Sequence, residues 1–563
     1  MTLALPPLRA RARDVRPRPH ADLGASALFR AYVAREPAAL AFYTHDPWDG
    51  RARAAAARRA AAHARHRDAV ADVLAEQNEA WGADEAVRAR VAQLRDPEAV
   101  AVVTGQQLGL FAGPLYTVYK ALSAVRQAAA LAAETGRPVV PVFWLADEDH
   151  DYAEVERAVF AGPDGARAVA LEAGQLPGAG RAPVGRLVLG AAAARRLLGS
   201  LAGALPRGPH RTAALAAARE AYRAGTPLRD AFARLLRALV PGTGLVFISA
   251  DDVRLKRLAA PLFAREATHW PDTLARLEAA SARLEAEGFH AQVAPRPVNL
   301  FLFEREGSGT RRTPLDPADP ARPDEGFVLR GTTTRLTPEA LAQLAAGHPE
   351  RLSPNVVLRP LVQDTLLPTA LYVAGPGEAA YFAQLRPVYE AFGVPMPAIA
   401  PRQSLTLIPP AAAKVLARYG LDGPDLRPDP DALHRRLALA AFGQDLDGAF
   451  DAARARAEAV VADLARTIAP IDATLARSAA AAEAAVAQAV ERLRVRAARA
   501  QKRRHADIRA RLDRARALLW PCGMLQERAL SPLDVAARYG LEALLELLAA
   551  LPADGREHLD VYL

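Results

Sequence analysis

Residues 102–120 (VVTGQQLGLFAGPLYTVYK) constrain the fold most, because they predict a buried strand that ends in a glycine-rich polar loop and continues as a helix. Gly105, Gly109 and Gly113 would let the backbone approach a ligand, and the first turn of the helix would direct unpaired N–H groups at an anion. Lys120 is one of only four lysines among 72 basic residues, so an ammonium group stands where the chain otherwise uses arginine. This segment therefore predicts a phosphate-binding strand, loop and helix.

Short β-branched runs alternate with helical stretches from Ala99 onward. The runs are residues 100–103, 139–145, 244–249, 299–303, 370–374 and 395–399. Such alternation is typical of an α/β fold with a parallel, doubly wound sheet.

Changes in composition divide the chain into consecutive segments. We expect a helical N-terminal segment (1–98), the first half of the core (99–163), a first connecting insertion (164–240), a continuation of the core (241–303), a second insertion (304–350), the second half of the core (351–410), a helical coiled-coil arm (411–519) and a tail that packs on the core (520–563).

The arm from about Asp445 to Leu519 is almost free of Pro and Gly, and its apolar residues recur mostly at three- and four-residue steps, as in a coiled coil. The recurring residues are Leu464, Ile468, Ile471, Leu475, Ala482, Val486, Val490 and Leu493. Pro470 is expected at a kink or boundary, because it would break a continuous helix. An antiparallel hairpin and a dimer seam both fit this pattern. We favour a homodimer interface, since an uncovered apolar stripe would be exposed.

The composition excludes several classes of protein. With 51% hydrophobic and 24% charged residues the 563-residue chain is globular, and no run approaches the roughly 18 uncharged apolar residues of a membrane span. We expect a cytoplasmic protein. The single cysteine, Cys522, excludes a disulfide framework and a zinc site of clustered thiolates. The net charge of +9 is spread over Ala- and Arg-rich helices rather than gathered with aromatic residues, so nucleic-acid binding is not expected.

Polar clusters follow three of the predicted strands. They are Thr104, Gly105, Gln106 and Gln107; Asp147, Glu148, Asp149, His150 and Asp151; and Asp251 and Asp252 with Lys256 one helical turn later. Because the carboxyl ends of parallel strands meet at one edge of the sheet, these clusters would converge on one ligand site. The alternative is that each carboxylate run is a solvated turn or a helix cap.

Later segments add further candidates. Asn299 lies in PRPVNLFLFE, and a turn at Gly375 and Gly377 precedes a helix that contains Tyr381. The segment SPNVVLRPLVQDTLLP reads as a covered strand, in which Arg359 and Gln363 would need polar partners.

Six ordered segments of the chain resemble the BshC family, the cysteine-adding enzymes of bacillithiol biosynthesis. They are VVTGQQLGLFAGPLYTVYKA, PVFWLADEDHDYAEV, SADDVRLKRL, FHAQVAPRPVNLF, LSPNVVLRPLVQDTLLPTALYVAGPGEAAYFAQLRPVYEAFGVPMP and GMLQERALSPLDVAARYG. The resemblance runs from end to end. It implies a Rossmann-like core related to class I nucleotidyl-transferring synthetases, two connecting insertions and a dimerising C-terminal coiled coil.

The resemblance implies a ligase that joins the carboxyl group of cysteine to the amine of glucosaminyl malate, with ATP, and with it Mg²⁺, activating the carboxylate. For this reaction we expect catalytic roles for Lys120, which would contact the phosphates, for Asp149 and His150, which would bind the substrate amine or a cation, and for Lys256. The expected nucleotide contacts are Thr104, Gly105, Gln106, Gln107, Gly109, Gly113, Gly375 and Gly377, and the expected substrate contacts are Glu148, Asp251, Asn299, Arg359, Gln363 and Tyr381. The His-x-Gly-His and Lys-Met-Ser-Lys-Ser elements of class I synthetases are absent from the sequence, and no residue is assigned to a metal.

Two other function classes remain compatible with the sequence. One is a nucleotide-sensing scaffold that recruits a partner through the coiled coil and forms no bond. The other is an RNA-binding relative of the synthetases, which would carry a basic stripe on one face and bind RNA with a steep salt dependence.

Overall fold

The structure, a computed structural model, describes residues 14–63, 65–162, 165–307, 309–427, 429–442, 446–472 and 475–563. The described residues up to Gly162, with Ala166–Pro409 and Met524–Leu563, form a first unit. Gly165 with Pro410–Gly523 forms a second unit. No described helix is long and apolar enough to cross a membrane.

The strands form a parallel core sheet and several smaller sheets. They are β1 (Asp14–Arg18), β2 (Val100–Gln107), β3 (Val139–Ala146), β4 (Arg157–Gly162), β5 (Gly165–Ala170), β6 (Val246–Ser249), β7 (Leu300–Glu306), β8 (Gly309–Pro317), β9 (Phe327–Leu329), β10 (Arg335–Leu336), β11 (Leu352–Pro354), β12 (Thr369–Ala374), β13 (Ala398–Pro401), β14 (Ser404–Ile408) and β15 (His558–Tyr562).

The α-helices surround these sheets or build the second unit. They are α1 (Ala27–Val33), α2 (Pro37–Leu40), α3 (Gly50–His63), α4 (Arg67–Ala80), α5 (Glu85–Gln93), α6 (Leu115–Thr135), α7 (Tyr152–Val155), α8 (Ala191–Ala204), α9 (Arg211–Ala221), α10 (Leu228–Leu239), α11 (Val253–Ala286), α12 (Pro338–Gly347), α13 (Leu358–Leu366), α14 (Pro376–Phe392), α15 (Pro410–Tyr419), α16 (Pro430–Phe442), α17 (Leu446–Ile468), α18 (Leu475–Leu519), α19 (Gln526–Ala529), α20 (Pro532–Tyr539) and α21 (Ala543–Ala550).

The core sheet has the order β13-β12-β2-β3-β6, and all of its strands are parallel. Val100 and Val102 pack into one apolar layer with α6, while Ala101 and Val103 pack into the layer on the opposite face. This burial on both faces explains why the predicted strands read as continuous apolar runs. The predicted doubly wound α/β fold is confirmed.

The chain runs outward from β2 to β3 and β6, and then returns to place β12 and β13 on the other side of β2. The direction of winding therefore reverses between β2 and β12. Loops that follow the two strands diverge at such a switch point and leave a crevice at the carboxyl edge of the sheet.

One predicted core strand belongs elsewhere. Residues 299–303 form β7, which lies in the antiparallel sheet β10-β9-β8-β7-β11. The second half of β7 (FERE) becomes progressively more exposed and pairs with β8 in an antiparallel hairpin. The expectation that this run lies in the parallel sheet was wrong.

Two local predictions also need correction. The segment TGQQ continues β2 as far as Gln107 and is not a loop. The segment predicted as a covered strand around Arg359 and Gln363 forms helix α13. Asn355 explains this helix, because its Oδ1 accepts hydrogen bonds from the backbone N–H groups of Val357 and Leu358 at the helix start.

In the second unit, α17 and α18 pack against each other as a helical hairpin, with an ion pair of 3.1 Å between Asp451 and Arg494. Pro470 lies between the two helices, as the sequence predicts. Within one chain, α17 and α18 therefore form the antiparallel hairpin, which is one of the two arrangements that fit the sequence pattern. Val460, Leu464 and Leu493 stay exposed on it, and the homodimer stays a prediction.

Residues 524–563 return to the first unit, where α19 and α21 pack against α6, and β15 lies between β1 and β14. Arg402, just after β13, forms a buried ion pair of 2.6 Å with Glu527 on α19. His558 on β15 is buried between the hydroxyl groups of Ser404 and Thr406, at 2.7 Å and 2.9 Å. Burial lowers the pKa of His558 to about 3, so the ring is neutral in the folded chain.

We predict that this neutral histidine makes the fold sensitive to mild acid. The unfolded chain binds a proton at His558 near pH 6.5 and the folded chain does not, so stability is full above that pH and falls as the pH drops toward 3. The neutral His558 ring alone should lower the free energy of unfolding by about 2 kcal/mol at pH 5 relative to neutral pH. Thermal midpoints measured from pH 8 to pH 5 should fall less in His558→Gln than in the unaltered chain, and parallel curves would contradict the assignment.

Candidate active site

Two adjoining cavities lie beside the carboxyl ends of β2, β3 and β12 in the first unit. The sheet-edge cavity, of about 460 Å³, is lined by residues 105–107 at the end of β2 and by residues 375–378 after β12. The insertion cavity, of about 930 Å³, is lined by residues 149–153 after β3 and by residues of β7 and β8. The sheet-edge cavity thus lies at the switch point of the core sheet, where doubly wound proteins bind their ligands.

The wall of the sheet-edge cavity carries a group of cationic side chains. Lys120, Arg359, Arg402 and Arg528 all line it. Tyr116 lies among them, with the guanidinium groups of Arg402 and Arg528 at 5.5 Å and 5.9 Å from its ring centre. Such a wall suits a ligand with several negative charges, because arginine and lysine bind phosphate and carboxylate oxygens directly.

Lys120 on α6 is buried, and its Nζ contacts three acceptors. It donates to the carbonyl oxygen of Gly105 at 2.5 Å and to Oε1 of Gln106 at 3.1 Å, and it pairs with Oε2 of Glu378 at 2.5 Å. Burial lowers the pKa of Lys120 and the charge of Glu378 opposes this effect. The lysine therefore joins the end of β2 to the segment after β12 across the switch point.

Glu378 lies in the first turn of α14, and this turn faces the sheet-edge cavity together with Gly375 and Gly377. Its carboxylate accepts from the N–H of Gly375 and from the hydroxyl of Tyr372, both at 2.8 Å. Burial would raise the pKa of Glu378, but Lys120 and these donors lower it. The first-turn N–H groups of a helix have no intrahelical acceptor, so this end of α14 adds positive potential to the cavity.

Arg359 on α13 is held by a chain of hydrogen bonds that reaches into the core. It donates to the hydroxyl of Tyr381 and to Oε1 of Gln363, both at 3.1 Å. The amide of Gln363 donates to Asp364 at 2.9 Å, and Tyr389 donates to the same carboxyl at 2.5 Å. Burial raises the pKa of Asp364 to about 6. Gln363 therefore supports Arg359 from behind and does not line either cavity.

Asp149 forms part of the boundary between the two cavities and lines both. It accepts from Nε2 of Gln107 at 2.6 Å and from Nη1 of Arg312 at 3.0 Å. Burial would raise the pKa of Asp149, but the adjacent His150, the charge of Arg312 and the amide of Gln107 hold it well below its usual range. Asp149 is thus a fixed negative charge, suited to binding an ammonium group rather than to accepting a proton.

The carboxyl groups of Asp147, Glu148 and Asp251 are buried beside the cavities. Glu148 and Asp251 pair with Lys256 at 2.7 Å and 3.5 Å, and Arg186 binds Asp251 through two hydrogen bonds of 2.5 Å and 2.6 Å. Burial raises the pKa of Asp147 to about 7, and the charge of Asp251 adds to this effect. Lys256 also donates to the carbonyl oxygen of Leu352. These ionised groups neutralise one another and fix the end of β3 to the start of α11.

The structure brings about half of the predicted site residues to the cavities. Those that line a cavity are Gly105, Gln106, Gln107, Lys120, Asp149, His150, Arg359, Gly375, Gly377 and Tyr381. Those that do not are Thr104, Gly109, Gly113, Glu148, Asp251, Lys256, Asn299 and Gln363. Thr104 donates to the carbonyl oxygen of Val373 within the sheet, and Asn299 donates twice to the buried carboxyl of Glu266.

Gly109 and Gly113 belong to a buried turn that faces away from the cavities. The N–H of Gly113 donates to the carbonyl oxygen of Gly109, and the N–H of Leu115 donates to that of Leu530. Gly113 has a φ of 70°, and a Cβ there would lie 2.8 Å from the hydroxyl oxygen of Thr117. These glycines therefore shape the entry to α6, and the N–H of Leu115 at its start is not available to an anion. Among the expected glycines of the first segment, only Gly105 reaches the cavity.

Sequence reasoning missed three arginines of the site. Arg402 lies three residues after a predicted strand, in APRQS, and this position at the carboxyl edge of a parallel sheet was a usable signal. Arg528 lies in the tail segment LQERALS, and Arg312 lies in the second insertion, where no pattern marked them. Among the described residues, no group of three or more His, Cys, Asp or Glu side chains is arranged to hold a metal ion.

Comparisons with known proteins match the sequence to one family. The model described as "Bacillithiol biosynthesis BshC, N-terminal Rossmann-like domain" matches residues 18–403, and "Bacillithiol biosynthesis BshC, C-terminal coiled-coil domain" matches residues 405–563.

Similar proteins named "Putative cysteine ligase BshC" occur in several bacteria. The protein of Salinibacter ruber is 41% identical over 96% of this chain and 97% of its own length. Those of Chlorobaculum tepidum and Symbiobacterium thermophilum are both 34% identical, over 88% and 89% of this chain and 89% and 91% of their own lengths. The similarity therefore covers the core, the insertions and the helical arm.

We predict that Lys120 and Glu378 contribute to stability as a pair. Lys120→Met leaves the half-buried Glu378 carboxylate without its cation and should lower the free energy of unfolding by about 3 kcal/mol. Adding Glu378→Gln removes the orphaned charge and should restore part of that loss. Urea denaturation of the two single variants and the double variant measures the coupling, and a double variant with the summed loss of both singles would contradict it.

Proposed function

The chain belongs to the BshC family, and on that premise we propose that it ligates the carboxyl group of cysteine to the amine of glucosaminyl malate with ATP, the last step of bacillithiol biosynthesis. The observation that carries the proposal is the sheet-edge cavity at the switch point, where four cationic side chains and the start of α14 face one space. This cavity suits the phosphates of a nucleotide. We place the reaction in the cytoplasm.

The carboxylate of cysteine is a poor acyl donor, so the first step would activate it. A carboxylate oxygen attacks the α-phosphorus of ATP, the bond to the β-phosphate bridging oxygen breaks, and pyrophosphate leaves with its electron pair. Lys120, Arg359 and Arg402 would neutralise the charge that accumulates on the phosphate oxygens, and the start of α14 would add its dipole. Their buried hydrogen bonds hold these groups in place before the substrate arrives.

The second step would join the amine to the activated carbonyl. The nitrogen of the sugar amine attacks the carbonyl carbon, AMP leaves, and the amine loses a proton to solvent or to the leaving phosphate. We assign the acceptor to the insertion cavity and the activated cysteine to the sheet-edge cavity, because Asp149 lies on the boundary between them. The low pKa of Asp149 keeps it ionised, so that it can bind the substrate amine as an ammonium group on arrival. This ammonium would first release a proton to solvent, and the neutral nitrogen then attacks.

Mg²⁺ would accompany the phosphates of ATP. The ion prefers oxygen ligands and keeps several waters, and it commonly binds through substrate phosphates with one or two carboxylates. Glu378 and Glu154 are the carboxylates on the sheet-edge cavity that fit this role, and the ion would then shield the phosphate charges. The exposed Cys522 lies in the second unit and is no part of these cavities.

We predict that the purified chain exchanges labelled pyrophosphate into ATP only when cysteine is present. Serine and alanine serve as controls, and glucosaminyl malate is left out of the first assay. Arg359→Met should lower the exchange rate by about 100-fold, because it removes a charge contact that forms in the transition state. Arg322→Met removes an exposed positive charge that lines neither cavity and should leave exchange within about threefold of the unaltered rate.

The same assay separates the competing mechanisms. If ADP forms only when both substrates are present, and no pyrophosphate exchange occurs, the activated intermediate is an acyl phosphate and not an adenylate. A chain that binds ATP but consumes none with both substrates present would be a nucleotide-sensing scaffold, and the proposed ligase activity would fail.

We also propose that the chain forms a homodimer through the exposed apolar residues of the α17–α18 hairpin. Leu464→Glu should reduce the mass measured by light scattering from twice to once the 60.0 kDa of the chain, because an exposed leucine at a dimer seam tolerates no charge. Val188→Glu, at an exposed valine of the first unit, is the matched control and should stay dimeric. A dimer that persists in Leu464→Glu places the interface elsewhere.

A further inference from the structure

Arg312 is a buried arginine of the second insertion that contacts the boundary between the two cavities. It lies on β8, only 7% exposed, with its guanidinium carbon 3.6 Å from the centre of the Phe301 ring. Nε donates to the hydroxyl of Ser353 at 3.1 Å and Nη2 to the carbonyl oxygen of Pro354 at 2.9 Å. These contacts fix the plane of the guanidinium group from one side.

The remaining side of the guanidinium group faces the end of β3. Nη1 donates to Oδ1 of Asp149 at 3.0 Å and lies 3.2 Å from Nδ1 of His150. Arginine carries donors only, so a hydrogen bond between the two side chains requires Nδ1 to accept and the ring proton to be on Nε2. Oδ1 of Asp149 lies 3.4 Å from the same Nδ1, and it would attract a proton there if Arg312 were absent.

The backbone of Arg312 ties the two insertions together. Its N–H donates to the carbonyl oxygen of Arg181 in the first insertion at 2.9 Å. In the same stretch of the first insertion, the N–H of Val184 donates to the carbonyl oxygen of Asp149 at 2.7 Å, and that of Gly185 to Asp147 at 2.9 Å. A Cβ on Gly185 would lie 2.5 Å from the Cβ of Asp147, so the backbone at Gly185 packs directly against Asp147 and leaves no space for a side chain. Both insertions therefore hold the segment after β3.

We propose that Arg312 is a positioning residue that fixes Asp149 and sets the ring tautomer of His150, so that the acceptor amine meets the activated carboxyl group at the boundary of the cavities. This proposal rests on the proposed ligase function for its kinetic consequence. Its structural part, the orientation of two side chains by a third, holds whatever reaction the cavities perform. Arg312 itself acts through Asp149 and His150 rather than on the substrate.

A lysine could not replace this arginine. The contacts to Ser353, Pro354 and Asp149 use the three nitrogens of the guanidinium group in one plane, and a single ammonium cannot reach all of them. Arg312→Lys therefore keeps the buried charge and removes the geometry. Arg312→Met removes both. Arg311→Met, at the exposed neighbour whose side chain lies on the opposite face of β8, is the matched control.

The first readout does not depend on activity. The ¹⁵N chemical shifts of the imidazole of His150, assigned by its loss in His150→Gln, report which ring nitrogen carries the proton. We expect Nε2–H in the unaltered chain and in Arg311→Met, and a shift toward Nδ1–H in Arg312→Met and Arg312→Lys. An unchanged tautomer in both Arg312 variants, folded as judged by their thermal midpoints, would overturn the proposal.

The second readout separates the two steps of the reaction. We expect both Arg312 variants to retain cysteine-dependent pyrophosphate exchange within about threefold and to lose about 100-fold in the rate of amide formation. Equal losses in both steps, or no loss in either, would overturn the kinetic part. If the unaltered chain performs neither step, the ligase proposal fails, and the ¹⁵N measurement still decides whether Arg312 orients the two side chains.

Discussion

The carboxyl edge of the parallel sheet depends on the pairing of buried charges. Lys120, Lys256, Arg312 and Arg402 are each less than a tenth exposed, and each lies within 3.0 Å of a carboxylate oxygen. An unpaired charge at these positions would cost several kcal/mol, so each cation requires its partner to be in place. Since the partners come from distant segments, the pairs also fix how those segments meet at the candidate site.

The pairs fall into two groups with different consequences. Lys120 with Glu378 and Arg312 with Asp149 face the cavities, where a ligand can exchange contacts with them. The pairs of Lys256 with Glu148 and of Arg402 with Glu527 hold β3 to α11 and β13 to the tail, and of these four residues only Arg402 also lines a cavity. The sequence predicts catalytic roles for both lysines. The geometry distinguishes them, because only Lys120 lines a cavity.

Local patterns in the sequence were sufficient to predict the parallel sheet, because strands buried on both faces leave continuous β-branched runs. They also located the ends of β2 and β3, with Gln107 and Asp149, at the site. Local patterns gave the wrong structure where contacts with distant segments determine whether a run becomes a strand of one sheet, a strand of another, or a helix. The run at Asn299 has the composition of a core strand but joins an antiparallel sheet. The segment around Arg359 forms a helix, and the side chain of Asn355 accepts hydrogen bonds from the N–H groups at its start. Arg312 could not be found from the sequence, since its role depends on β8 folding back over the loop that follows β3.

The pair of Arg402 and Glu527 also bears on how the chain is made. Arg402 leaves the ribosome 125 residues before Glu527, with the whole helical arm between them. A nascent chain can therefore form β2, β3, β6, β12 and β13 while the arginine at the end of β13 still lacks its counter-ion. The edge of the sheet at β13 therefore gains this counter-ion only after the tail has been synthesised.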